Sequence, residues 1–180
     1  MNIYIIPIEL KNKSLLDYTV DELSAKFSSE ILVEHLEIPI ENAHFQNRSQ
    51  YYSTQIIANS IDLTLYLNGK VLIFTSLDLF VPALTYIFGE AQLGGKHSIV
   101  SACRLHEEFY SGVTNEALLM ERTLKEVFHE LGHNFGLKHC TDWDCVMHSS
   151  PGIEEVDIKG KFYCRNCSKA IPLKDRLKVF

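Results

Sequence analysis

His129-Glu130-Leu131-Gly132-His133-Asn134-Phe135-Gly136-Leu137-Lys138-His139-Cys140 is the most informative segment of this 180-residue chain. It closes a long helical pattern. Thr114-Asn115 can cap that helix, and a run from there to about Asn134 spans roughly 30 Å at 1.5 Å per residue. Leu124, Val127, Phe128, Leu131 and Phe135 share one side of it and predict a buried stripe. His129 and His133 lie one turn apart on a single face, so two imidazoles can meet one ion. Glu130 follows the first histidine and can reach a water at that ion without being a ligand itself. Gly136 falls where a left-handed residue ends a helix, and His139 can then swing back as a third ligand. H-E-x-x-H alone is a modest signal. Gly136 and His139 sharpen it towards zinc-assisted hydrolysis, in which the metal acidifies a water and Glu130 takes its proton.

Downstream, Met147 stands eight residues after His139 and is placed to fold beneath the ion as an apolar floor. Cys140 and Cys145 form C-x4-C, and Cys164 and Cys167 form C-x2-C. Four thiolates in two pairs match a closed, tetrahedral structural zinc that would tie the loop bearing His139 and Met147 to the tail. Two disulfides are the competing reading, disfavoured because nothing in the sequence points to export. A redox pair at Cys164 and Cys167 lacks the strand-to-helix context it needs. Cys103 stands alone in an apolar stretch and reads as a small buried hydrophobe.

Upstream, residues 2–8 (NIYIIPI) read as a strand apolar on both faces, followed by helical spacing at Leu16, Val20, Leu23 and Phe27. A second strand is expected over Ile31 to Ile38, a loop over Glu41 to Gln50, and a helix over Thr54 to Leu67 stopped by Asn68-Gly69. Val71 to Ser76, Leu84 to Phe88 and Ser98 to Cys103 read as further strands. This alternation predicts an α/β fold with helices on a mostly parallel sheet. One domain, 1–180, is expected, its C-terminal part from about 137 stapled by zinc. Hydrophobic residues make up 46% and charged residues 22%, which excludes a disordered or repeat protein. A net charge of −6 argues against a nucleic-acid platform, although Lys159, Lys161, Arg165, Lys169, Lys174, Arg176 and Lys178 face only Asp175 in the tail. That tail reads as a solvated basic face. No apolar run approaches the ~18 residues of a membrane span, and Met1 to Ile8 lacks the form of a signal peptide, so a cytoplasmic protein is expected.

The run His129-Glu130-x-x-His133-x-x-Gly136-x-x-His139-Cys140-x4-Cys145-x-Met147, with Cys164-x-x-Cys167, resembles the archaemetzincins, a branch of the metzincin zinc proteases. Asp78-Leu79-Phe80-Val81-Pro82 and Phe88-Gly89-Glu90-Ala91 extend the likeness upstream. Sixteen residues separate Met147 from Cys164, one fewer than in the family pattern. Some other metzincins carry a transition-state tyrosine two residues after the floor methionine; Ser149 stands there in this chain. The resemblance implies a twisted mixed sheet above a cleft, the active-site helix beneath it, and two zinc ions, one catalytic and one structural. It also implies an antiparallel edge strand over Thr85, Tyr86, Ile87, Phe88, Gly89, Glu90 and Ala91 that binds an extended peptide by strand addition.

His97, His106 and His148 have no ligand spacing and read as surface histidines. Glu107-Glu108 reads as a polar turn, Asp142 and Asp144 as a solvated loop or supports for the metal ligands, and Tyr51-Tyr52 as core packing. The leading expectation is a zinc-dependent peptidase acting on peptides or unfolded protein. A non-catalytic peptide-binding module keeping its metals for structure is the alternative, and a basic nucleic-acid site in the tail is a third reading.

Overall fold

Alternation along the first strand sends Ile3 and Ile5 into one apolar cluster and Tyr4, Ile6 and Ile8 into another, so the sheet is buried on both faces. The structure, a computed structural model, describes residues 1–171. In chain order its elements are β1 (Asn2–Ile8), α1 (Lys13–Lys26), β2 (Ile31–Val33), β3 (His44–Phe45), β4 (Gln50–Tyr52) and α2 (Ser53–Ile61). There follow β5 (Gly69–Thr75), β6 (Leu79–Phe80), β7 (Gly89–Ala91), β8 (His97–Ser101), α3 (Glu108–Ser111), α4 (Glu116–Asn134), α5 (Ile153–Ile158) and α6 (Arg165–Ala170).

The main sheet has the order β2-β1-β5-β8-β7, parallel except for β7, which runs antiparallel along β8 at one edge. Leu72, Phe74 and Val100 face α1 and α4 with Ile3 and Ile5, while Val71, Ile73 and Ile99 face α2. The result is a mixed sheet between helices. A small second sheet, β3-β4-β6, stands beside it. Asn115 caps α4, its side chain accepting from the Leu118 N–H, and the stripe Leu124, Val127, Phe128, Leu131 and Phe135 is buried as its spacing predicts.

Several boundaries differ from the sequence reading. The strand expected over 31–38 pairs only through Val33. The loop over 41–50 contains a 3-10 turn at Glu41–Ala43 and the β3–β4 hairpin. The helix expected to reach Leu67 ends at Ile61 and tightens to 3-10 over Asp62–Thr64, where the Thr64 hydroxyl donates back to the Ser60 carbonyl. The strand over Ser98 to Cys103 shifts to His97–Ser101, and Cys103 begins a 3-10 turn, half-buried rather than buried. Leu84 to Phe88 is no strand. Arg48 donates to the Leu84 and Thr85 carbonyls and Gln50 to Thr85, so backbone acceptors that a ladder needs are taken by side chains. The zinc-ligand-rich C-terminal part contains two short helices, α5 and α6. Lys159, assigned to a solvated face, is fully buried; Lys161, Arg165 and Lys169 are exposed. Lys174, Asp175, Arg176 and Lys178 lie outside the described residues. Among the described residues no helix is long and apolar enough to cross a membrane.

Candidate metal centre and cleft

The helix α4 delivers His129, Glu130 and His133 to one side of a cleft of about 500 Å³. Gly136 adopts φ 93°, a left-handed turn that releases the chain from the helix and brings His139 back. The ligand atoms of His129, His133 and His139 all lie within 4.8 Å of one another. Each helix histidine is oriented by a backbone carbonyl: Nδ1 of His129 is 2.8 Å from the Val146 oxygen, and Nδ1 of His133 is 2.8 Å from the Leu137 oxygen. Protons on both Nδ1 atoms leave both Nε2 lone pairs free. Those Nε2 atoms face each other at 3.1 Å. Two lone pairs so close repel unless a cation lies between, and nitrogens ~2.0–2.1 Å from one tetrahedral ion are roughly 3.3 Å apart. Burial lowers the pKa of all three imidazoles, most strongly at His129, keeping them neutral as metal ligation requires. The residues present therefore fit a zinc ion.

Glu130 is buried, and burial followed by the charge of Glu126 pushes its carboxyl well above the usual range, against the opposing pull of Lys159. Strand β7 passes directly over it. A Cβ built on Gly89 would meet Cγ and Oε1 of Glu130 at 2.7 Å and the Ile99 carbonyl oxygen at 2.8 Å, so only glycine lets the strand and the carboxylate approach so closely. Glu90, the next residue, points the other way and accepts from the hydroxyls of Ser53 and Thr54 at the start of α2. The edge strand is thus pinned to the upper helix while its glycine covers the carboxylate.

Met147 lies under α4 as expected: a side chain at Gly132 would overlap its sulfur. The four cysteines also converge, their sulfurs within 4.8 Å of one another. Cys140 and Cys164 Sγ are 4.0 Å apart, against roughly 3.8 Å for two sulfurs each ~2.3 Å from a tetrahedral zinc. Backbone N–H groups of Cys167 and Asn166 lower the Cys164 thiol, whereas burial raises Cys145 and Cys167. Neighbouring thiols that cannot all ionise alone suit a shared cation. The disulfide reading does not match a group of four mutually close, unpaired thiols.

Of the expected edge strand, Gly89, Glu90 and Ala91 pair with β8; Thr85, Tyr86, Ile87 and Phe88 line the cleft from the preceding segment, where Ile87 makes an isolated antiparallel bridge to Leu79. His97 is buried rather than exposed, contacting Thr64 and Gln92, and burial takes its pKa down to about 4. His106 and His148 lie outside the three-imidazole group. Glu107 does more than form a turn, since it pairs with Arg122 at 2.9 Å. Asp142 and Asp144 are exposed, with Asp142 accepting from the Asp144 N–H. Tyr51 packs half-buried in the second cluster and stacks on His44. Sequence reasoning assigned no role at the site to two residues: Glu126, which lines the cleft one turn before Glu130, and Lys159, read as part of a solvated basic face, whose ammonium lies 2.7 Å from the Glu126 carboxylate. Glu126 was legible as a charge three residues before His129 on a helix packed against core. Lys159 had no such signal.

A helix carrying two imidazoles and a carboxylate, a third imidazole from the following turn, and an antiparallel sheet edge above them define a metal-dependent hydrolase. The family described as peptidase family M54 matches residues 41–173. Archaemetzincin of Methanocaldococcus jannaschii is 36% identical over 176 residues, covering 98% of this chain and 94% of that protein. The crystal structure of archaemetzincin from Archaeoglobus fulgidus, complexed with malonate, superposes with a TM-score of 0.81 at 32% identity, over 95% of this chain and 100% of that one. A zinc-dependent peptidase from Methanocorpusculum labreanum gives 0.82 at 26% identity, again over 95% and 100%. The chain belongs to peptidase family M54 and is a zinc metalloprotease. Its substrate class is peptide or protein.

Proposed function

We propose that the chain hydrolyses peptide bonds with a catalytic zinc held by His129, His133 and His139, Glu130 as general base, and a second, structural zinc held by Cys140, Cys145, Cys164 and Cys167. Zinc at the three imidazoles supplies the positive charge that acidifies water towards a pKa of ~7 and polarises the scissile carbonyl. Glu130 takes the proton of the attacking water on a carboxylate oxygen and later delivers it to the leaving amine nitrogen. Its burial makes it a stronger base than a solvated carboxylate and excludes competing water. Strand β7 offers the backbone groups not engaged by β8 to an extended peptide, and the loop Thr85–Phe88 forms the rim beyond it. Met147 supports the helix beneath the imidazoles. The assignment makes 1–180 one catalytic domain whose part from about 137 onward is stapled by the cysteine site. Four thiols poised for a metal suit a reducing, cytoplasmic setting.

The observation that carries this reading is the meeting of three neutral imidazoles and the Glu130 carboxylate in one cleft beneath a sheet edge. The test is mass spectrometry of a diverse peptide library incubated with zinc-loaded wild type and with Glu130→Gln. Cleavage by wild type, reduced at least ~100-fold in the variant with both zinc ions retained, is expected. Equal cleavage by the two would sink the role of Glu130. Peptide binding without turnover by fully metallated wild type would instead establish a binding module.

A further inference from the structure

Lys159 and Glu126 form a buried ion pair beside the imidazole cluster. The lysine side chain is 0% and the glutamate 5% exposed, with Nζ 2.7 Å from Oε1. Burying two charges costs several kcal/mol per ion, so such a pair contributes little to stability compared with apolar packing. Its position gives it a different use. The Lys159 ammonium lies 3.5 Å from Nδ1 of His129, the same ring nitrogen whose proton points to the Val146 carbonyl at 2.8 Å. Two arrangements compete at that atom. If Nδ1 donates to Val146, the Nε2 lone pair is free for a metal. If Nδ1 accepts from Lys159, the ring proton moves to Nε2 and the metal position is blocked. Both arrangements carry the same net charge; only the donor changes.

We propose that Glu126 is a positioning residue that holds the Lys159 ammonium away from Nδ1 of His129 and so locks this imidazole in its metal-binding tautomer. The pair is built for this. Lys159 ends α5, which is fastened to α4 by Lys125 donating to the Val156 and Asp157 carbonyls. Beyond Lys159, the Gly160 N–H donates to the Trp143 carbonyl and the Phe162 carbonyl accepts from Val146 N–H. The segment carrying the lysine is therefore bonded to the segment whose carbonyl orients His129. Glu126, on the helix turn before His129, fixes the choice of partner at Lys159, its carboxylate lying 2.7 Å from the ammonium against 3.5 Å for Nδ1.

This inference rests on the three-histidine zinc site proposed above, and its test reads metal affinity rather than turnover. Zinc dissociation constants at that site are measured by chelator competition on wild type, Glu126→Gln, Lys159→Met and the double variant, with four-thiolate zinc occupancy as the control for folding. Glu126→Gln, freed of its hold on the lysine, is expected to bind zinc ~10–100-fold more weakly at the histidines, the range for groups that orient metal ligands. Lys159→Met should stay within a few-fold of wild type. Adding Lys159→Met to Glu126→Gln should restore affinity to within a few-fold, a strong non-additivity. If Glu126→Gln does not fold with its thiolate zinc intact, Glu126→Asp, one methylene shorter, should show a smaller loss and the same rescue. An unchanged affinity in the glutamate variant, or losses that simply add in the double, overturns the proposal. Absence of zinc from the histidines of wild type would overturn the site itself, which is a separate result.

Discussion

Gly89 shows how much a single residue without a side chain can control. Its Cα lies where β7 crosses Glu130, and a methyl group there would press on the carboxylate from one side and on the Ile99 carbonyl from the other. Glu130 is the softer neighbour and is expected to give way. Gly89→Ala should therefore lower kcat by about 100-fold, the cost of misplacing a reacting group by ~1 Å, with KM changed only a few-fold and both zinc ions retained. Steady-state kinetics with metal analysis checks this, and a change confined to KM would mean that the strand moved and the carboxylate did not. His97 offers a second residue-level prediction, on stability. Buried against Thr64 and Gln92, it has a pKa of about 4 in the folded chain against 6.5 unfolded. Between those values the unfolded chain binds the extra proton, so stability falls as pH drops through this window and is fully present above it. Wild type should lose about 2 kcal/mol from this source between pH 7 and pH 5. His97→Gln should lack that component. Urea midpoints for both proteins at the two pH values measure it; parallel losses would remove His97 as the cause.

At the scale of elements, α4 is both the best predicted and the most heavily used. Its 3.6-residue apolar spacing and Asn115 cap are local features, so they are legible without knowledge of the fold, and the histidine spacing then places two candidate ligands on one face. The strands β1, β5 and β8 were legible for the same reason. What failed was long-range. Leu84 to Phe88 is apolar enough for a strand, but Arg48 and Gln50, more than thirty residues away, occupy its carbonyls. Lys159 looked like one more cation in a basic tail, because nothing local reveals a carboxylate on α4 that will bury it. The polar ties between α4 and the following elements were equally invisible. Arg122, nearly buried, grips Asp157 through two bonds at 2.6 and 2.7 Å, Glu107 at 2.9 Å and the Leu105 carbonyl at 3.1 Å. It holds α5 and the turn before α3 against one helix. Arg122→Met should lower stability by about 2–3 kcal/mol, less than the ~3–5 of a pair buried on both sides, because Asp157 and Glu107 keep contact with water. Denaturant melts should show that loss with zinc content unchanged; a loss of histidine-bound zinc in the same variant would show that α5 docking reaches the metal site.

Across the whole molecule the two metal groups are neighbours in the chain, since His139 is followed directly by Cys140. The loop between Cys140 and Met147 is stitched to the segment before α6. The Cys140 N–H donates to the Met147 carbonyl, and Val146 N–H to Phe162. The Gly160 N–H donates to Trp143, and a side chain at Gly160 would collide with the Asp144 backbone. Tyr163 adds a bond at 2.6 Å to the Phe128 carbonyl on α4. A zinc at the four thiolates would close this arrangement by joining Cys140 and Cys145 to Cys164 and Cys167, leaving His139 and the Val146 carbonyl little freedom. Folding energy from an ion at the thiolates should thus appear as metal affinity at the histidines. Cys167→Ser tests this from the far end, on α6, without touching the residue next to His139. It should abolish thiolate zinc, weaken zinc at the histidines by at least ~10-fold, and cut turnover at limiting zinc while excess zinc restores part of it. Zinc stoichiometry and zinc-titrated kinetics measure each of these. Undiminished histidine affinity after loss of the thiolate ion would mean that the hydrogen bonds alone position His139, and that the cysteine site serves stability rather than catalysis.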